Sequence, residues 1–183
     1  MKLYLIRHGE PDYEQVTEAN YKGFGRDLSR LTREGIKKAQ ALAKQPLFNT
    51  IELLLVSPYT RTMQTALELT RDKDIPVLVE LGLHEWLPDK TGTKLERPEQ
   101  VKTAYHDYLN GTQFSDLECE SKSDVYQRVE SVFQRYESAG YTSLACVTHA
   151  EVIRVLTGVE KVAYCGVYTY EYVSLEMKEE ESK

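Results

Sequence analysis

Two histidines, two arginines and one glutamate fall where a phosphoryl group could be handled. Arg7-His8, Ser57 with Arg61, Glu85 and His149 each stand just after a stretch that reads as a strand. A neutral imidazole is a nucleophile, and an imidazolium is not. Two guanidinium groups beside an imidazole favour its neutral form, because nearby positive charge disfavours protonation. The same arginines suit the electrophile, since a guanidinium grips phosphoryl oxygens in bidentate fashion. Glu85 would then be the general acid for the leaving oxygen. A carboxyl beside a phosphate dianion has its pKa pushed up, which helps it hold a proton near neutral pH.

These groups can meet only if the chain folds in a particular way. Leu3 to His8 reads as a strand. Thr32 can cap a helix to about Lys44, with Ile36, Ala39, Leu42 and Ala43 on one face. Glu52 to Val56 is a near-continuous apolar run, as expected of a strand covered on both faces. Ser57-Pro58 reads as an N-cap followed by proline at the first helical position, with Tyr59, Met63, Ala66, Leu67 and Thr70 on one side. Arg61 then lies in the first turn, where the macrodipole disfavours a cation and a bound anion would remove the conflict. An arginine reaching out to solvent is the plainer alternative.

Ile75 to Leu81 reads as a further strand, and Pro98 to Leu109 as a helix stopped by Asn110-Gly111, with Val101, Ala104, Tyr105 and Tyr108 at helical spacing. Ser121 to Asp124 forms a capping box for a helix whose apolar face is Val125, Val129, Val132, Phe133 and Tyr136, ending at Gly140. Leu144 to Thr148 reads as a strand, Glu151 to Thr157 as a short helix stopped by Gly158, and Val167 to Met177 as a final strand. This alternation predicts an α/β fold: a three-layer sandwich with a mostly parallel central sheet flanked by helices. In such sheets ligands bind outside the carboxyl ends of the strands, so groups distant in sequence share one rim. Residues 88–122 are more polar and read as an insertion near the site, within a single domain spanning 1–183.

Composition sets the outer bounds. The chain has 183 residues, enough for one compact domain with its own core. Lys+Arg 23 against Asp+Glu 29 gives a net charge of −6, which argues against nonspecific binding of nucleic acid or an anionic membrane. No apolar run approaches the roughly 18 residues of a membrane span, and the start does not read as a signal peptide. Cys119, Cys146 and Cys165 lack C-x-x-C spacing, so neither a disulfide framework nor a cysteine metal site is expected, and the cytoplasm is the simplest compartment. The four histidines lack H-x-x-x-H spacing, which speaks against a metal. His84 reads as a loop histidine, His106 as solvent-facing, Cys146 as a buried small hydrophobe, and Tyr164, Tyr168, Tyr170 and Tyr172 as strand packing. Trp86 either walls the pocket or packs in the core.

Arg7-His8-Gly9-Glu10 at the end of a first strand resembles the signature of the histidine phosphatase superfamily, the phosphoglycerate-mutase-like proteins. The resemblance runs on in order through Leu31-Thr32-x-x-Gly35 with Gln40-Ala41, Ser57-Pro58-x-x-Arg61-x-x-Gln64-Thr65-Ala66, Leu83-x-Glu85, Glu120-Ser121 and Thr148-His149. It implies a phosphomonoester phosphatase in which His8 is phosphorylated, Arg7, Arg61 and His149 stabilise the transferring group, and Glu85 donates the proton. Arg26 and Ser57 are expected to touch substrate. No metal or other cofactor is implied, because arginines and the second histidine supply the positive charge. The implied partner is a small phosphorylated substrate, not nucleic acid or membrane; the oligomeric state is not indicated. A cofactor-dependent phosphoglycerate mutase is the alternative, and a catalytically silent phospho-ligand-binding relative is the third reading. The one modest insertion favours hydrolysis, since mutases must exclude water to protect the phosphoenzyme. The chain departs from the family pattern at Gln15, where many members carry Asn, and at Ala150-Glu151, where small glycines are common. Glu151 thus brings an extra carboxylate towards the phosphate site.

Overall fold

The computed structural model describes residues 1–95, 97–112 and 114–173. β1 (Lys2–Arg7) leads through a short β2 (Pro11–Asp12) into α1 (Glu14–Glu18) and a 3-10 turn at Gly23–Leu28. β3 (Arg30–Leu31) pairs back on β2 and feeds α2 (Arg33–Leu42), which Thr32 caps by accepting from Gly35 N–H at 2.9 Å. β4 (Leu53–Val56), α3 (Thr60–Thr70) and β5 (Val77–Val79) follow. Then come α4 (Pro98–Asn110), α5 (Lys122–Ser138), β6 (Ser143–Thr148), α6 (Ala150–Thr157) and β7 (Val167–Glu171).

The apolar runs become the middle of one five-stranded sheet, ordered β5-β4-β6-β1-β7. The first four strands are parallel and β7 is antiparallel to β1. Side chains alternate between the faces with the period of two that a strand imposes. Leu3, Leu5, Leu53, Leu55, Leu144 and Cys146 pack on one side against Val125, Val129 and Phe133 of α5 and Val152 and Ile153 of α6. Ile6, Leu54, Val56, Ala145 and Val147 pack on the other with Leu42 of α2 and Ala66 and Leu69 of α3. The result is the three-layer α/β architecture that the alternation of elements predicts. Among the described residues no helix is long and apolar enough to cross a membrane.

Several local expectations are corrected. α3 begins at Thr60 with Tyr59 as its cap residue, and Ser57 makes no cap bond. Its hydroxyl meets His149 instead. Arg61 still lies in the first turn. The buried face of α3 is Arg61, Thr62, Thr65, Ala66 and Leu69, whereas Met63 and Leu67 face outward at 41% and 66% exposure. The apolar pattern misleads because this face turns towards a polar rim. Thr62 and Thr65 satisfy their hydroxyls on the carbonyls of Ser57 and Arg61, at 2.8 and 2.7 Å, and so bury without penalty. Tyr164 precedes β7 rather than packing in it. The final strand ends at Glu171, and the end expected at Met177 lies outside the described residues.

Residues 88–122 are organised by two buried carboxylates. Asp89 accepts from Thr91, Lys94 and Leu95 N–H, and Asp107 from Thr112 Oγ1 and the N–H groups of Phe114 and Ser115. Ala104 and Tyr108 seat α4 in the core, and Trp86 both packs on Tyr105 and Tyr108 and walls the cavity described below.

Candidate active site

All the strands that carry site residues end at the same rim, because they are parallel. Arg7 ends β1 and His8 follows it, Ser57 and then Arg61 follow β4, Glu85 lies after β5, and His149 follows β6. The two imidazole rings stand with centroids 5.1 Å apart.

His8 is held in one tautomer. Its Nδ1 lies 2.7 Å from the carbonyl oxygen of Gly9, which can only accept, so Nδ1 carries the proton and Nε2 keeps its lone pair. Arg61 Nε sits 3.3 Å from that Nε2. The histidine is 4% exposed, and its pKa falls to about 3. Burial is the largest cause, followed by the Arg61 charge, with the Gly9 carbonyl opposing and Arg7 adding to the fall. Gly9 is itself pinned: its N–H donates to Thr65 Oγ1 at 3.0 Å, and Cβ atoms built at Gly9 and Gly35 would meet each other's neighbouring backbone at 2.9 and 2.6 Å. Only glycine lets the start of α2 approach the turn after His8 so closely.

The guanidinium groups are fixed from outside the reaction centre. Arg61 Nη1 donates to Asp27 Oδ1 at 2.9 Å, and its guanidinium lies 4.7 Å from the Tyr59 ring. Arg7 Nη1 donates to the Val162 carbonyl at 2.5 Å, and its guanidinium lies 3.8 Å from the Tyr164 ring. Arg7 Nε is buried without a protein partner. His149 is fully buried; Ser57 Oγ stands 2.8 Å from its Nε2, which leaves Nδ1 buried and unpartnered. Its pKa lies well below the ordinary value, through burial first and then the neighbouring His8 imidazole and the Arg61 charge. With the serine donating to Nε2, Nδ1 is the N–H that could meet an oxyanion. Ser57 thereby orients an imidazole.

Glu85 accepts Trp86 N–H at 2.9 Å and Glu151 N–H at 3.2 Å, both on Oε1. Its pKa is raised, chiefly by burial; the Trp86 N–H and Arg61 oppose this, and the Glu151 charge adds to it. Its loop is clamped by Arg128, which donates to the carbonyls of Gly82 and Glu85 and pairs with Glu120. Glu151 does not confront the phosphate site as a free carboxylate. It is buried, and its Oε2 accepts from Tyr105 and Arg154.

A cavity of about 360 Å³ opens beside this rim, with Tyr13, Arg26, Tyr59, Glu85, Trp86 and Lys102 among its walls. Arg26 lies over the Tyr13 ring at 5.7 Å, where a substrate could meet it. Sequence reasoning missed Asp27, the partner of Arg61, although it adjoins Arg26. It also missed Tyr164, because that residue continues the tyrosine spacing of β7. His84 sits behind Glu85, with Nδ1 on the Glu85 carbonyl, and His106 faces solvent.

The family model of the histidine phosphatase superfamily (branch 1) matches residues 3–161. Adenosylcobalamin/alpha-ribazole phosphatase of Escherichia coli is 30% identical over 162 residues, covering 85% of this chain and 77% of the relative. The crystal structure of alpha-ribazole phosphatase from Shigella flexneri superposes with a TM-score of 0.65 at 26% identity, covering 94% of this chain and 91% of that one. A phosphoserine phosphatase of Entamoeba histolytica, in complex with phosphoserine, shares the fold at a TM-score of 0.67 and 22% identity, over 94% and 91% of the two chains.

Proposed function

The chain belongs to the histidine phosphatase superfamily, branch 1, and from that membership and the geometry of its rim we propose that it hydrolyses small phosphomonoesters through a phosphohistidine on Nε2 of His8. The observation that carries this reading is the His8 imidazole itself. It is held neutral, with its proton on the Gly9 side and its lone pair beside the Arg61 guanidinium.

In the first step the Nε2 lone pair attacks phosphorus while the bond to the substrate oxygen breaks. Glu85 hands its proton to that oxygen, and the alcohol leaves. Oε1 is occupied by two backbone N–H groups, so Oε2 is the oxygen positioned to carry the proton. In the second step water attacks phosphorus, the P–Nε2 bond breaks, and the Glu85 carboxylate takes the proton of the water. Arg7, Arg61 and the His149 Nδ1–H stabilise the charge that spreads over the equatorial oxygens. Their geometry is fixed beforehand by Val162, Asp27 and Ser57, so little reorganisation is needed. Arg26, at the cavity wall, contacts the remainder of the substrate. The relatives' substrates, a ribazole phosphate and phosphoserine, support a small phosphorylated metabolite as the class.

The test is release of inorganic phosphate, without added metal, from a panel of sugar, amino-acid, nucleotide and carboxylic-acid phosphates. We expect steady release for at least one class, an acid-labile phosphoenzyme on rapid quench, and loss of both in His8→Ala. Release undiminished in His8→Ala ends the reading. Isomerisation of a phosphoglycerate with little phosphate released would make the chain a mutase.

A further inference from the structure

One buried acid at this rim takes no part in the reaction above. Glu151 is 6% exposed, in the first turn of α6, with Tyr105 Oη 2.9 Å and Arg154 Nη1 2.8 Å from its Oε2. Its own N–H donates to Glu85. Burying a carboxylate is costly unless it is paired and hydrogen-bonded, and here a hydroxyl from α4 and a guanidinium from α6 pair with it.

Burial is the chief cause that raises the Glu85 pKa. The Trp86 N–H, the Glu151 N–H at the start of α6 and the Arg61 guanidinium all favour its anion. A proton donor must resist them. Other charged and titratable groups around it are Tyr59 beside α3, Tyr13 before α1, Tyr105 and Tyr108 of α4, Arg154 of α6, Arg128 of α5, the adjacent His84, and Arg26, Asp27 and Lys102 on the shared cavity wall. The Glu151 charge adds to burial in pushing Glu85 towards its protonated form.

We propose that Glu151 is a positioning residue for the proton donor: its backbone N–H holds the Glu85 carboxyl, and its own side chain, anchored by Tyr105 and Arg154, sets a carboxylate beside that acid before substrate arrives. The proposal rests on the reading of Glu85 as donor. It gives the 88–122 segment a catalytic connection, because Tyr105 lies one turn along α4 from Val101 and Lys102 on the cavity wall.

The test compares wild type with Glu151→Gln, Glu151→Asp and Arg154→Met. The donor must be protonated, so kcat/KM for an alkyl phosphate falls as pH rises through the pKa of free Glu85. Removing the Glu151 charge lowers that pKa and leaves Arg154 uncompensated, which acts in the same direction. The alkaline limb should therefore move down by about one pH unit in Glu151→Gln. Aspartate should restore at least half of the shift. Arg154→Met, which keeps the acid and removes its counter-charge, should move the limb upward, and it keeps the proposal testable if Glu151→Gln fails to fold. The carboxyl carbon of Glu85, followed by NMR titration without substrate, should show the same displacements. That readout needs no turnover, so it stands even if the phosphatase reading fails. Midpoints within about 0.2 units of wild type in folded Glu151→Gln, or a shift upward, overturn the proposal.

Discussion

Arg128 ties three pieces of chain together behind Glu85, and its removal is the sharpest test of how the Glu85 loop is held. Its Nε and Nη2 meet the two carboxylate oxygens of Glu120 at 2.8 and 3.1 Å. Nη1 reaches the Gly82 carbonyl at 2.6 Å and Nη2 the Glu85 carbonyl at 3.3 Å. Glu120 in turn accepts Leu87 N–H at 2.9 Å. The two side chains are 15% and 7% exposed, so solvent screens the pair weakly. Arg128→Met keeps much of the volume and strands the Glu120 carboxylate and two carbonyls. Breaking a buried pair from one side costs about 3–5 kcal/mol. At roughly 2–4 °C of Tm per kcal/mol for a chain of this size, the melting temperature should fall by roughly 6–20 °C. Below that temperature kcat should fall more for an alkyl phosphate, whose leaving group needs the Glu85 proton, than for p-nitrophenyl phosphate, whose leaving group does not. The double variant Arg128→Met with Glu120→Gln should recover part of the stability, since no charge is then stranded. A Tm within about 2 °C of wild type, or an equal fall in kcat for both substrates, would refute the reasoning.

Stability should also depend on pH through His8. Its pKa is 6.5 in the unfolded chain and about 3 in the fold, so below pH 6.5 the unfolded state binds a proton that the folded state refuses. The resulting stability is present above pH 6.5 and drains away as pH falls towards 3; between pH 7 and 5 the loss is about 2 kcal/mol. Urea titrations at both pH values should show His8→Asn losing about that much less than wild type, and equal losses would contradict the assignment. Gly35→Ala reverses the usual rule for a helix, where alanine stabilises by about 1 kcal/mol. The new Cβ would stand 2.6 Å from the Glu10 carbonyl oxygen, a backbone atom that cannot turn aside. We expect a lower Tm, by an overpacking cost of about 1–3 kcal/mol, together with reduced turnover as the Gly9 turn shifts.

The elements most legible in the sequence are those whose signals are local. The capping box at Ser121 forms as the spacing predicts, with both reciprocal bonds made. Gly111 and Gly158 end their helices in the left-handed conformation. The apolar runs of β4 and β6 needed no context either, being buried along nearly their whole length. Legibility fails where a side chain has a local and a tertiary use and the tertiary one wins. Ser57 could cap α3, but it spends its hydroxyl on a histidine 92 residues away. The inner face of α3 carries threonines, so apolar periodicity points to the wrong side. Tyr164 keeps step with Tyr168 and Tyr170, yet lies against a guanidinium.

The sequence also orders the causes of His8 neutrality differently from the structure. From residue types alone, the arginines carry the argument. In the fold, burial outranks both, and for His149 it again stands first. The difference has a chemical consequence. A nucleophile kept neutral only by nearby cations would gain a proton when a phosphate dianion arrived to neutralise them. One kept neutral by burial retains its lone pair when the anion binds, which is when it is needed. On the proposed reaction the arginines are then free to serve the transition state, and Asp27 and the Val162 carbonyl hold them from the far end before substrate binds.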